Sequence, residues 1–119
     1  MIKKVSLEEK FRLFSDHWKP RIVGEVNNTQ IKLVRLLGEF QWHHHDNEDE
    51  MFLVLEGTLA IELEDGALKL EKGEMAVIPK GVEHRPVAEK EVLAMLVEPA
   101  STVNTGNAKS SRTTDAVWI

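Results

Sequence analysis

Three histidines and one glutamate carry the most specific chemistry in this chain. His43, His45 and Glu50 fall in the run Gly38-Glu39-Phe40-Gln41-Trp42-His43-His44-His45-Asp46-Asn47-Glu48-Asp49-Glu50, and His84 closes Pro79-Lys80-Gly81-Val82-Glu83-His84. Three imidazoles and one carboxylate make a hard-to-borderline ligand set suited to one divalent first-row ion such as Fe, Mn, Ni, Co, Zn or Cu. In an extended strand residues i and i+2 point to the same face, so His43 and His45 project together and His44 points away. Glu50 stands at an odd distance from His45. A loop or bulge over Asp46 to Asp49 must therefore reverse the chain before Glu50 can join the pair. Four protein ligands leave positions open on an octahedral ion, the condition for catalysis there. The acidic string from Asp46 to Glu50 lacks the alternating ligands and central glycine of an EF-hand, which sets a calcium loop aside.

The elements that must position these ligands read as short strands. Residues 1–20 form a helical segment: Ser6 and Glu9 make a capping-box signature, Leu7, Phe11 and Phe14 recur at helical spacing beside Leu13, and Pro20 closes it. From Arg21 onward, apolar runs alternate with turn signals. Strands are expected over Gln30 to Leu37, Met51 to Leu55, Thr58 to Glu64, Ala67 to Leu70, Glu74 to Ile78, His84 to Ala88 and Val92 to Glu98. Asn27-Asn28 reads as a turn and Asp65-Gly66 as a two-residue hairpin loop. The expected core is Met51, Leu53, Leu55, Leu59, Ile61, Leu63, Val77, Leu93, Met95 and Val97. Many short strands without intervening helices imply an all-β sandwich or barrel over residues 21–100. Residues 101–119 are rich in Ser, Thr and Asn but end in Ala116-Val117-Trp118-Ile119, which implies a tail whose apolar end docks on its own barrel or on a partner.

Composition narrows the partners. At 119 residues the chain is one domain, large enough for its own core. It has no cysteine, which excludes disulfides and thiolate metal sites. The net charge of −5, with no long run of Lys or Arg, argues against nucleic acid and anionic membrane as partners. Apolar stretches are far too short to span a bilayer, and the N-terminus lacks the apolar segment of a signal peptide, so a cytoplasmic location is expected.

Laid out this way, the chain resembles the cupin superfamily. One motif is Gly38, His43-x-His45, Glu50 and Gly57; the other is Gly73, Pro79-x-Gly81 and His84. The spacing from Gly38 to His43 is one residue shorter than the usual statement of the motif, and Ala88 stands where an Asn often ends the second. More narrowly, the chain is similar to small bacterial cupins labelled mannose-6-phosphate isomerase-like. The resemblance covers roughly Leu33 to Leu96. It implies a single-domain jelly-roll β-barrel, a divalent metal held by His43, His45, Glu50 and His84, and a homodimer to which the apolar C-terminus and the N-terminal helix contribute.

Function is read in three classes. The favoured one is an enzyme acting through the metal, as Lewis acid or in dioxygen activation, on a small oxygenated molecule; dioxygenase leads, because such cupins can work with the metal ligands alone. A sugar-isomerase-like enzyme needs a protein base, yet the chain has no Tyr and no further inward His stands out. A phosphosugar would also want several cations, and only Arg85, Lys80 and Arg35 are on offer. The alternatives are a non-catalytic cupin binding metal or metabolite, and a metal-stabilised structural oligomer. No residue beyond the four ligands is assigned to catalysis or substrate. His44 is read as a bystander and Trp42 as packing. His17 and Trp18 are read as structural, Arg85 as a surface ion pair, and Glu83 and Glu98 as surface charge. Asn104-Thr105-Gly106-Asn107 is a turn by composition, with no chemical role.

Overall fold

The computed structural model describes residues 2–119. Its single α-helix, α1, is only Leu7–Phe11. The Ser6 hydroxyl accepts from the Glu9 amide at its start, as the capping box requires. The helix stops where a longer one was expected because Arg35 takes over the carbonyls: its guanidinium donates to the oxygens of Phe11 and Phe14. Phe11 and Phe14 are buried by packing on Val23 and Leu33, not by continuing the helix.

Eight strands follow: β1 Arg21–Val26, β2 Thr29–Glu39, β3 Glu50–Glu56, β4 Leu59–Leu63, β5 Gly66–Leu70, β6 Met75–Ile78, β7 His84–Pro99 and β8 Val117–Trp118. They are paired in the order β5-β4-β7-β2-β1-β8, with β3 joining β7 to β6. The long β7 replaces the two strands expected from the sequence. Its first half pairs with β4, its second half with β3, and β2 runs along both. A bulge makes this possible: Leu36 lies opposite Val92 but Gly38 opposite Ala88, so residues 89–91 are extruded and the strand bends. The result is an all-β jelly roll whose sheet does not close. Asn27-Asn28 is the β1–β2 turn, with Asn27 at φ 54°. The β4–β5 hairpin is shifted by one residue from expectation: Leu63 faces Gly66, leaving Glu64-Asp65 in the loop.

The core reverses part of the expected list. Leu59 and Ile61 are buried, joined by Val34, Leu36, Phe52, Val54, Ile78, Ala88, Val92, Ala94 and Leu96. Met51, Leu53, Leu55, Leu93, Met95 and Val97 lie half-buried on the other face of their strands, Leu63 packs at the core's rim, and Val77 is 53% exposed. These strands are apolar on both faces, so alternation in hydrophobicity could not set the parity. The outer face of β2 and β7 is covered by Phe11, Phe14 and Ile119.

At the C-terminus β8 pairs in parallel with β1, Val117 opposite Arg21 and Trp118 opposite Ile22. The Ile119 amide donates to the Ile22 carbonyl. Among the described residues no helix is long and apolar enough to cross a membrane.

Candidate metal centre

Each candidate ligand is placed by a different piece of backbone. His43 and His84 face each other across a two-way bridge: the His43 amide donates to the His84 carbonyl at 3.1 Å, and the return bond is 2.9 Å. The Pro79-x-Gly81 turn is tied to the same segment, since the Gly81 amide donates to the His45 carbonyl at 2.8 Å. Gly81 sits at φ 83°, a conformation that favours glycine. The loop 46–49 then delivers Glu50 to the start of β3.

All four residues are at least 96% buried, and their ligand atoms lie within 4.8 Å of one another. Glu50 Oε1 stands 3.5 Å from His45 Nε2 and 3.4 Å from His84 Nε2. Donors each about 2.1 Å from a common ion stand about 3–4 Å apart, the range of the two Glu50–imidazole separations. The tautomers fit as well. The Nδ1 atoms of His43 and His84 lie 2.9 Å from the carbonyls of Gln41 and Val82. A carbonyl can only accept, so each Nδ1 carries the proton and each Nε2 offers a lone pair. Glu50 Oε1 and the Nε2 atoms of His45 and His84 have no hydrogen-bond partner among the described residues. Buried polar atoms left this way are costly unless something outside the chain satisfies them. The cluster can hold one metal ion.

Electrostatics point the same way. Burial, followed by the neighbouring His84, lowers the His43 pKa to about 4, so its imidazole is neutral and able to ligate at neutral pH. Burial alone would raise Glu50, but the neighbouring side chains of Glu98, His45 and His84 hold its carboxyl well below the usual range. Glu98 is pushed well above that range, by burial and then by Glu50. Two carboxyls in contact inside a protein do not both ionise. Of the two, Glu50 favours its anionic form and Glu98 its protonated one, with Lys32 opposing the shift of Glu98.

Glu98 corrects the surface-charge expectation: it is 2% exposed and accepts from the equally buried Lys32 ammonium at 2.9 Å. Its place follows from register. Gln30 faces Glu98 and Met51 faces Val97, so Lys32, Glu98 and Glu50 point inward from three adjacent strands. The available signal was parity: Glu98 has the same strand parity as His84 and as buried Ala94 and Leu96.

A small cavity of about 40 Å³ opens beside the cluster. Besides His43, Glu50, Glu98 and Asn104 its walls are apolar: Trp18, Pro20, Val34, Leu36, Phe40, Phe52, Pro86 and Leu96. Trp18 thus does more than hold the fold together. It stands at φ 63°, stacks on Phe40 at 4.8 Å and donates its indole N–H to the Leu37 carbonyl. Phe40 in turn meets His43 edge-on at 5.4 Å.

The remaining polar residues point elsewhere. His44 faces out, between Glu83 and Asp46, and the hydrogen bond to Glu83 raises its pKa. Arg85 is held by Glu39 and Glu62 beneath the exposed ring of Trp42. Arg35 is committed to Glu91 and the α1 carbonyls, and His17 bonds Glu91.

Comparison with known proteins agrees with this geometry. Residues 33–98 match the Cupin domain family. A cupin-2 domain containing protein from Shewanella frigidimarina is 50% identical, with a TM-score of 0.79 over 80% of this chain and 93% of its own. A Neisseria meningitidis protein is 34% identical, with a TM-score of 0.75 over 82% of this chain and 99% of its own. The Bacillus subtilis protein YdbB is 38% identical over 77 residues, 64% of this chain and 68% of its own. A buried His/Glu cluster at the mouth of a jelly roll and a family match over more than half the sequence lead to one conclusion: the chain belongs to the cupin domain family.

Proposed function

We propose that the protein is a divalent-metal-dependent enzyme whose metal is held by His43, His45, Glu50 and His84, and whose substrate is a small, largely apolar molecule bearing oxygen. The observation that supports this most is the lining of the cavity: an aromatic and aliphatic wall ending on the ligand cluster. When bound, a first-row ion supplies Lewis acidity and, as iron or manganese, a means to activate dioxygen. The chain's own residues do the rest. Carbonyls of Gln41 and Val82 fix the His43 and His84 rings so that Nε2 faces the site. Trp18, Phe40 and Phe52 keep water from the reacting end of the ligand. Lys32 occupies Glu98 Oε1, leaving Oε2 to hold a proton beside Glu50.

Dioxygenase is the favoured reaction, and a phosphosugar substrate is disfavoured. Among the described residues no Lys or Arg lines the cavity; Lys32 is bonded to Glu98, Arg112 to the Glu39 carbonyl, and Arg85 and Arg35 are engaged elsewhere. The buried Glu98 carboxyl keeps an isomerase acting on an uncharged substrate as the second reading, because it provides the protein acid or base such chemistry needs. The test is dioxygen uptake by protein loaded anaerobically with Fe(II), offered a panel of 1,3-diketones and catechols. Uptake should need both iron and a substrate and should vanish in the zinc form. Equal turnover with zinc would remove the dioxygenase reading, and ligand-induced stabilisation without turnover by either form would leave a binding protein.

The homodimer expected from the terminal residues draws support from β8, an edge strand on which Val117 and Trp118 remain 58% and 55% exposed. Trp118→Glu should convert the dimer to monomer in sedimentation velocity at micromolar concentration. A wild type that sediments as a monomer there would rule this assembly out.

A further inference from the structure

The segment Asn104-Thr105-Gly106-Asn107 had no chemical role in the sequence. In the structure it lies against the ligand-bearing run His43–His45. The Asn107 amide donates to the His44 carbonyl at 2.9 Å, and the Asn107 side-chain oxygen accepts from the His44 amide at 2.9 Å. One asparagine therefore pairs both backbone polar groups of His44, as a neighbouring strand would. Gly106 makes the approach possible. It sits at φ 55°, and a Cβ there would fall 2.1 Å from the His44 carbonyl oxygen and 3.2 Å from His45 Nδ1. No side chain fits.

The rest of the segment anchors this contact. Asn104 bonds the Arg112 carbonyl and the Thr114 amide, and the fully buried Thr105 bonds Thr113 through their hydroxyls. Further out, Gln41 is bonded by Ala108 and Ser110, and Arg112 donates to the Glu39 carbonyl. The contacts therefore bracket His43, at Glu39 and Gln41 before it and at His44 after it. The backbone of the run is accounted for on every side: His43 by His84, His44 by Asn107, and the His45 carbonyl by Gly81.

We infer that Gly106 and Asn107 are positioning residues of the metal centre, a C-terminal brace that fixes the spacing of the His43 and His45 side chains by pinning the residue between them. This rests on the four-ligand reading, and it goes beyond it by assigning a role in metal affinity to residues more than sixty positions away in the chain. The backbone of a residue between two ligands cannot turn without carrying both of them, because alternate residues share a face. Ligand-orienting contacts typically govern about 10–100-fold in metal affinity.

The test uses Co(II) as the probe, with affinity from chelator competition and coordination geometry from the visible absorption spectrum. Asn107→Ala and Gly106→Ala should each weaken cobalt binding at least about tenfold and alter the spectrum. Asn107→Asp, which keeps the acceptor for the His44 amide, should recover most of the affinity. Ser6→Ala, which weakens the fold at the distant helix cap, should leave both readouts at wild-type values. Hydrogen exchange of the metal-free protein adds a second measure: the His44 amide should exchange faster in Asn107→Ala. Unchanged cobalt affinity and spectrum in both variants would overturn the inference, as would unchanged His44 exchange. A wild type that binds no cobalt overturns the four-ligand reading itself and the brace with it, an outcome distinct from variants that bind as the wild type does.

Discussion

Glu98→Leu is expected to destabilise the protein by about 3–5 kcal/mol, because it strands the Lys32 ammonium in the interior. The Lys32 and Glu98 side chains are only 3% and 2% exposed, and their contact is 2.9 Å. Taking a charge out of water costs several kcal/mol, and only a well-placed partner offsets it. Removing both groups should behave differently. Lys32→Met with Glu98→Leu should recover most of the loss, since an apolar pair of similar volume leaves no buried polar group without its partner. Glu98→Gln, which retains an acceptor for Lys32, should fall between. Urea denaturation of the three variants measures this directly. A single variant as stable as wild type would mean that water reaches Lys32. Because Glu98 also neighbours Glu50, the metal affinity of Glu98→Leu should drop as well, and that of Glu98→Gln should drop less.

Metal should be the largest single stabiliser of the fold, and the effect should disappear in His84→Ala. At a free ion concentration a thousand times the dissociation constant, binding to the native state adds about 4 kcal/mol. For a domain of this size that corresponds to a rise in Tm of roughly 10 °C or more. In His84→Ala the fully buried third imidazole is gone, while His45 and Glu50 remain 3.5 Å apart. Metal-induced stabilisation should then shrink to a small fraction of the wild-type shift. Comparing each protein with and without ion cancels the cavity the substitution leaves in the core. A mutant that still gains the full shift would show that the ion sits elsewhere, for instance on the half-buried His44 with Asp46 and Glu83.

How much of this was legible in the sequence depended on whether a residue's role was local. The four ligands were readable because their spacing is fixed by one strand, one loop and one tight turn. The same ligands also carried the information needed to place the core. Glu50 points inward, so Phe52 and Val54 do too. His84 points inward, and the bulge at residues 89–91 leaves parity unchanged, so Val92, Ala94, Leu96 and Glu98 follow. Side-chain size pulled the expectation to the opposite face, because Leu93, Met95 and Leu55 are as apolar as the true core and help bury Phe11, Phe14 and Ile119. Lys32 and Glu98 were missed because charged residues are seldom buried. Only the three-strand register shows that they bond each other inside the fold. The role of Gly106 was out of reach for a different reason. A glycine in a polar turn signals backbone freedom, but the partner that requires it, His44, is contributed by a distant part of the chain. The short α1 ends where Arg35 of β2 reaches its carbonyls, again a tertiary contact.

The most direct test of the metal centre is elemental analysis of untagged protein purified without chelator, with His84→Ala prepared in parallel. About one first-row ion per wild-type chain and essentially none in the mutant is the predicted result. Iron or manganese in that position would direct the search to dioxygen-consuming chemistry, and zinc or nickel to Lewis-acid chemistry or binding. A wild type that stays metal-free even after reconstitution, or a mutant that retains a full equivalent, would contradict the assignment of His43, His45, Glu50 and His84 as a metal centre.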